Sequence, residues 1–145
     1  MSKINLDPKS EQSIINMLLD HNALNDTSIS KINNTSQEIG KTKIETAIEL
    51  KLTNEEKILK LLSSSYSLDI VNLDEKKIDE KIKKVLDLRF IEDNHLVPFE
   101  INGSILKIAI PDGSKLSLMK NLKTMTQMEP ELYAASISNI NDFIE

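Results

Sequence analysis

The stretch VPFEINGSILKIAIPDG, residues 97–113, decides the fold class of this chain. Apolar and polar residues alternate on both sides of Asn102-Gly103, a dipeptide that suits a type I′ turn because both central residues of that turn have positive φ. The pattern predicts an antiparallel hairpin, and Pro111-Asp112-Gly113 ends its second strand. The alternating apolar residues are Val97, Phe99 and Ile101 before the turn and Leu106, Ile108 and Ile110 after it.

Segments with apolar residues at helical spacing lie before and after this hairpin. A helix with one apolar face and a charge-balanced opposite face precedes it; a helix, a short strand near residues 131–135 and a last helix capped by Ser136 follow it. This order, α-β-β-α-β-α, predicts a small α/β sandwich over residues 66–145. The apolar helix positions are Ile78, Ile82, Val85 and Leu86, then Leu118, Leu122 and Met125, then Ile137, Ile140 and Ile144.

Residues 1–65 have helical periodicity without strand-like alternation, which predicts four short helices. Asp7-Pro8 supplies an N-cap and a first-turn proline for the first helix. The second helix is expected to begin at Asn25 or Asp26 and to end in the polar run 33–36, and Thr53 with Glu56 predicts a capping box for the fourth. The apolar positions are Ile14, Ile15, Leu18 and Leu19, then Ile29 and Ile32, then Ile44, Ala47 and Ile48, then Ile58, Leu59, Leu61 and Leu62.

The four helices look like a duplicated helix pair. A shift of 29 residues lays Ile15 on Ile44 and Ile29 on Ile58, although any two amphipathic helix pairs match at several apolar positions by chance. We therefore predict an α+β chain with a helical subdomain over residues 1–65, built as a degenerate repeat of two tandem helix pairs, and an α/β subdomain over residues 66–145.

Composition excludes most enzyme chemistry. The chain has 145 residues and no cysteine, so disulfides, thiolate zinc sites and cysteine nucleophiles are excluded. Only His21 and His95 supply imidazole, and neither is spaced for a ligand pair. Gly40-Lys41-Thr42 matches the end of a phosphate-binding loop, but Thr35 stands where the loop needs glycine, so a turn followed by a helix start is the better interpretation. We expect no catalytic residue, no cofactor and no metal.

Charge argues against nucleic acid as a partner. The net charge is −5, and Arg89 is the only arginine among 18 basic residues, so the planar group that best binds guanine edges and phosphates is almost absent. No apolar stretch approaches the roughly 18 residues that cross a bilayer, and no apolar signal region follows the first residues. We expect an intracellular chain without direct membrane insertion.

Three segments carry a resemblance to a known family: SLDIVNL (67–73), HLVPFEINGSILKIAIPDGSKLSLMKNLKTMT (95–126) and EPELYAASISNINDFIE (129–145). They resemble the N-terminal domain of the hexameric ATPases of type II secretion and type IV pilus assembly. That family has an Ala-x-x-Asp-Pro motif after a strand, and the corresponding residues here are 109–113, where glycine replaces the proline. Its amino-terminal part often holds two 24-residue motifs separated by five residues, which matches the 29-residue shift.

The resemblance also implies where a nucleotide would bind. In members that bind cyclic di-GMP, each motif opens with Arg-Leu-Gly and closes with glutamine. Here the openings fall on Ser13 and Thr42 and the closings on Ser36 and Ser65, so both arginines, both glycines and both glutamines are absent. A shift of one residue would restore one glutamine, Gln37, and no shift restores an arginine. We expect the helical scaffold to be kept and its ligand chemistry to be lost.

The resemblance implies a non-catalytic adaptor domain that docks a secretion or pilus ATPase to its inner-membrane platform. Its partners would be the cytoplasmic region of a platform protein and the ATPase domain of the same or a related protein, with a cytoplasmic location peripheral to the inner membrane. A cyclic di-GMP sensing module is the alternative, and a winged-helix-like nucleic-acid binder is a weaker third. No motor motifs are present, so the chain is either part of a larger ATPase or a stand-alone relative.

Three apolar residues near helix ends are candidates for the docking surface: Leu24, Leu50 and Leu52. Short helices are marginal without tertiary contacts, so leftover apolar residues of the helical half are candidates for a surface that a partner completes. Packing between the two subdomains is the alternative for each of them. On the docking hypothesis, removal of residues 1–65 leaves a folded α/β domain that does not bind the platform protein.

Overall fold

The computed structural model describes residues 6–75 and 80–144. Within them, the first half folds into the helices that the periodicity predicts, and the second half contains the predicted sheet. The helices of the first half are α1 (Pro8–Asp20), α2 (Asp26–Ile39), α3 (Lys43–Glu49) and α4 (Glu55–Tyr66).

Side-chain caps set the helix starts. The Asp7 carboxylate accepts the Ser10 amide at 2.7 Å, which confirms the predicted cap of α1. The capping box expected at Thr53 and Glu56 is wrong: Asn54 caps α4, and the box forms at Thr42 and Glu45 at the start of α3 instead. Thr53 lies one residue before the cap position, where it is buried and its hydroxyl has no hydrogen-bond partner among the described residues.

Helix α2 runs past its predicted end in the polar run 33–36 and continues to Ile39. Ser36 does not break it, because its hydroxyl donates to the Asn33 carbonyl within the helix at 3.1 Å. The helix stops at Gly40, whose φ of +67° places it in the left-handed region that glycine adopts without a Cβ penalty.

The second half adds one helix to the predicted order. After a short 3₁₀ turn at Leu73–Glu75 come α5 (Glu80–Val85), α6 (Leu88–Asn94), β1 (Val97–Asn102), β2 (Ile105–Ile110), a second 3₁₀ segment (Gly113–Leu118), α7 (Met119–Thr126), β3 (Glu129–Ala134) and α8 (Ile137–Ile144). The sequence pattern missed α6, a helix of seven residues that begins after the cap Asp87 and ends at His95. Ile78, predicted for the helix before the hairpin, lies outside the described residues.

The sheet has the order β1-β2-β3, with β1 and β2 antiparallel and β2 and β3 parallel. The hairpin is confirmed, but its turn is displaced by one residue. Asn102 pairs with Ile105 as the last strand residue, so Gly103 and Ser104 make the turn, and Gly103 has a φ of +63°. The α+β fold class is therefore confirmed.

Both faces of the sheet are covered, as a sandwich requires. One face packs against α6 and α7 through Leu106, Ile108 and Ile110. The opposite face, with Val97, Phe99 and Ala109, packs against α8 and residues 71–73. The apolar residues that pack on the first face from the helices include Leu86, Phe90, Ile91, Leu116 and Leu122.

A third cluster forms the core of the helical half, and it includes residues from beyond residue 65. Ala134 at the end of β3 and Ile137 at the start of α8 are packed among the apolar residues of α1, α2, α3 and α4. The predicted division at residue 65 is thus crossed by one continuous core; whether each half folds alone stays a prediction. In the described part of the chain, no helix is both long and apolar enough to span a membrane.

Candidate functional site

A polar cavity of about 570 Å³ lies where α1 and the end of α4 meet residues 113–114. Its volume is in the range of small-molecule sites. Hydroxyl, amide and charged groups line it, so it offers both donors and acceptors. The side chains that bear on ligand chemistry are Lys9, Ser13, Asp20, His21, Ser65 and Tyr66.

Two of the four predicted motif positions meet at this cavity. Ser13 lies on α1, and Ser65 lies in the last turn of α4, where its hydroxyl oxygen is 2.7 Å from Nε2 of His21. The chain therefore brings the predicted opening of the first repeat next to the predicted closing of the second. This hydrogen bond also joins the end of α4 to the end of α1.

The other two motif positions are held by local bonds at the connection between α2 and α3. Ser36 is 9% exposed within α2, and the Thr42 hydroxyl accepts the Glu45 amide in the capping box. Lys41 pairs with Glu49, with 3.1 Å between Nζ and Oε2. The predicted turn and helix start at Gly40-Lys41-Thr42 is therefore confirmed, because Gly40 ends α2 and Thr42 caps α3.

The charges around the cavity balance. Lys9 and Asp20 both line it, and within the described residues its lining contains no arginine. Arg89 lies far along the chain on α6, where Nε is 3.9 Å from Oδ2 of Asp93 and the side chain is 88% exposed. A planar guanidinium that could bind a phosphate or a guanine edge with two parallel bonds is thus absent from this cavity.

Tyr66 and Gly113 close one side of the cavity. A Cβ atom built on Gly113 would lie 2.8 Å from Cε2 of Tyr66, which is closer than real Cβ atoms approach. Gly113 does not have a positive φ, so the contact with the Tyr66 ring, and not the backbone conformation, is what a side chain at position 113 would disturb.

The predicted docking residues differ in accessibility. Leu24 is 5% exposed and belongs to the helical core, so the structure does not offer it to a partner, and this expectation is corrected. Leu52 is half-buried and packs against the same core, and Leu50, the C-cap of α3, is half-buried as well. Leu50 and Leu52 remain predicted docking residues.

A second polar cluster joins the start of α1 to the α/β half. Lys115 is 5% exposed, and its Nζ is 3.5 Å from Oδ2 of Asp7. Nδ1 of His95 is 3.7 Å from the same oxygen. Burial raises the pKa of the Asp7 carboxyl, but the hydrogen bonds from Ser10 and the charge of Lys115 outweigh it and hold the pKa below its usual value of 3.8.

Neither polar cluster has the composition of a metal centre. Within residues 6–75 and 80–144, no three acidic or imidazole side chains are placed to hold a metal ion. Asp7 already binds Lys115 and caps α1, so its oxygens are engaged in structural contacts.

An apolar groove of about 330 Å³ lies on the α/β half, between α5, α6, the start of β1 and the end of α8. Leu88, the first residue of α6, is 60% exposed at this groove. The sequence analysis missed it together with α6. The signal that could have found it is Asp87 followed by Phe90 and Ile91, an N-cap with two apolar residues one turn later.

Comparison with known proteins identifies the family. The model of the MshEN domain matches residues 66–145, which is more than half of the chain. The chain belongs to the MshEN domain family. This confirms the resemblance to N-terminal domains of secretion and pilus-assembly ATPases. No curated protein matches the chain.

Solved MshEN-like structures extend the similarity to the helical half. The structure of MshE with cdg superposes with a TM-score of 0.65 and 18% identity, covering 90% of this chain and 95% of that one. The N-terminal domain of XpsE superposes with a TM-score of 0.64 and 22% identity, covering 97% of this chain and 96% of that one. At these identities the similarity establishes a shared fold over both halves.

Proposed function

We propose that this MshEN domain is a non-catalytic adaptor that docks a secretion or pilus-assembly ATPase to the cytoplasmic region of its inner-membrane platform protein. The domain then works in the cytoplasm, peripheral to the membrane through its partners, and next to the ATPase domain of the same or a related protein. It performs no reaction; its task is to present a surface of fixed shape.

The continuous core across residue 65 is the observation that carries this proposal. Ala134 and Ile137 are buried among the four N-terminal helices, so the helical half and the sheet half are packed as one body. A docking module needs such a body, because a surface that is already ordered pays less conformational entropy on binding. The polar cluster at the start of α1 supports the proposal as well, since Asp7 and Lys115 are engaged in structural contacts.

The test compares binding of the platform protein's cytoplasmic region to the whole chain and to two matched variants. Leu50→Ser changes a half-buried residue of the helical half, and Leu88→Ser changes an exposed residue at the apolar groove of the α/β half. We expect Leu50→Ser to weaken binding about tenfold or more, because it removes an apolar contact of the proposed interface. Leu88→Ser should leave binding unchanged, because Leu88 lies outside that interface. The reverse result would move the docking surface to the groove, and no binding by the unchanged chain would contradict the adaptor function.

A second candidate function is cyclic di-GMP sensing, and the cavity that holds Ser13 and Ser65 favours it. MshE, whose structure was solved with cdg, shares this fold. The missing guanidinium groups argue for the adaptor instead, because diester phosphates and guanine edges are bound best by arginine. Isothermal titration separates the two: a micromolar or tighter dissociation constant would favour sensing.

A further inference from the structure

The first turn of α8 contacts four different parts of the molecule with four consecutive side chains. Ile137 is buried in the helical core, and Ser138 binds Glu55 of α4. Asn139 binds residues 73–74 of the α/β half, and Ile140 is buried on the sheet face that carries Val97 and Phe99. One helical turn thus joins elements that are far apart in the sequence.

The contact with Glu55 is a cap supplied from another element. One carboxylate oxygen of Glu55 accepts the backbone amide of Ser138 at 2.8 Å, and the other accepts the Ser138 hydroxyl at 2.6 Å. Both bonds are charge-assisted, and a negative charge at this end of α8 also interacts favourably with the helix dipole. The helix supplies its other cap itself, since Ser136 Oγ accepts the Asn139 amide at 3.1 Å.

Asn139 connects the same turn to Leu73 and Asp74, which precede α5 in the α/β half. Its Oδ1 accepts the amide of Leu73 at 2.7 Å, and its Nδ2 donates to Oδ1 of Asp74 at 3.0 Å. Leu73 is 1% exposed and is buried with Val97 and Phe99. The α8 turn that binds Glu55 is thus also bonded to the α/β half.

We propose that the first turn of α8 couples the two halves, so that a displacement of α4 releases α8. The physical reason is length: α8 has eight residues, and a helix this short is marginal without tertiary contacts. Removing the Glu55 carboxylate withdraws a cap from α8 while leaving its own cap, Ser136, in place. The coupling concerns the fold itself and holds whether or not the domain docks to a platform protein.

Amide hydrogen exchange of the whole chain tests this coupling. We expect Glu55→Ala to raise exchange at residues 139–144 about tenfold, as expected for the loss of a helix cap, and to leave the amides of α7 and β2 unchanged. Glu56→Ala is the matched control, because Glu56 is the neighbouring residue of the same turn and, within the described residues, pairs with Lys60 of the same helix at 3.0 Å. It should leave α8 unchanged.

Two results would overturn the proposal. One is unchanged exchange in α8 of the Glu55→Ala variant, and the other is a uniform rise over all elements, which indicates a loss of global stability only. If Glu55→Ala does not fold, Ser138→Ala replaces it, since that variant keeps the backbone bond to Glu55 and loses the hydroxyl bond. We then expect a smaller rise of a few-fold confined to α8, and no rise would overturn the coupling.

Discussion

The ring of Tyr66 lies against the α-carbon of Gly113, so that the last residue of α4 and the first residue after the Asp112 cap occupy adjoining space. Tyr66 is 39% exposed, and its ring lines the polar cavity next to Gly113. A side chain at position 113 would require this ring to move.

Gly113→Ala should therefore destabilise the protein only slightly and only through Tyr66. The atoms that a Cβ would meet are the far end of an exposed side chain that can turn away, so we expect a loss of about 0.5–1 kcal/mol in the free energy of unfolding. In a Tyr66→Ala background the same change should be neutral or slightly stabilising, because alanine reduces the entropy of the unfolded chain. Urea unfolding of the unchanged chain, the two single variants and the double variant measures the coupling free energy between positions 66 and 113.

Gly40→Ala is the control for that cycle. Nothing lies within 4 Å of a Cβ at position 40, but its φ is +67°, so the substitution is costly for a backbone reason. Its effect should be the same with and without the Tyr66 ring. Equal effects of Gly113→Ala in both backgrounds would contradict a clash between its Cβ and the Tyr66 ring.

Asp7 should make the protein less stable in acid. Its pKa is lower in the folded state than the usual 3.8, so its charge stabilises the fold above that pH, and this contribution is lost as pH falls through the folded value. Asp7→Asn keeps a capping oxygen and removes the charge, so it should lower the thermal midpoint at pH 7 and have little effect near pH 3. Asp7→Ala also removes the cap, which is worth about 1 kcal/mol.

Glu11, one turn further along α1, should change the stability of the fold with pH in the opposite direction to Asp7. Burial raises the pKa of the Glu11 carboxyl above 4.5, although the amide and charge of Lys43 partly offset this. A raised carboxyl pKa means that the fold loses stability as pH rises through it, so Glu11→Gln should not lower the midpoint at pH 7. Equal losses for Asp7→Asn and Glu11→Gln at pH 7 would contradict both assignments.

Removal of residues 1–65 should leave a folded sheet with a weakened α8. The truncation uncovers Ile137 and Ala134 and removes Glu55, the partner of Ser138. Exposing one buried isoleucine lowers the free energy of unfolding by about 1.5–3 kcal/mol. Circular dichroism should show retained strand signal, reduced helix signal and a lower midpoint, whereas a fragment without any cooperative transition would mean that the sheet half depends on the helical half.

Nucleotide turnover should be absent. Lys41 is paired with Glu49, and the Thr42 hydroxyl is used in the capping box, so neither residue is placed for a phosphate or its magnesium. The purified chain and its Lys41→Ala variant should show the same background phosphate release from magnesium ATP. A turnover that survives repurification and is lost in Lys41→Ala would contradict this expectation.

Local hydrogen bonds and periodicity were enough to predict most elements of this protein. Asp7 caps α1, Ser136 caps α8 and Gly103 turns the hairpin, and each of these signals acts within about four residues of sequence. The misplaced capping box also comes from such a local signal. Two Thr-x-x-Glu patterns were available; the box forms at Thr42 for α3, whereas α4 begins at Glu55 and is capped by Asn54.

Tertiary structure alone decided which distant residues meet. Glu55 and Ser138 are 83 positions apart, and Lys115 and Asp7 are 108 apart, so no spacing in the chain announces either contact. The cavity that unites Ser13 with Ser65, and the contact of Tyr66 with Gly113, arise in the same way, from the packing of the helices against the sheet. A sequence pattern specifies which face of each element is buried; the partner of that face is selected only when all the faces are buried together.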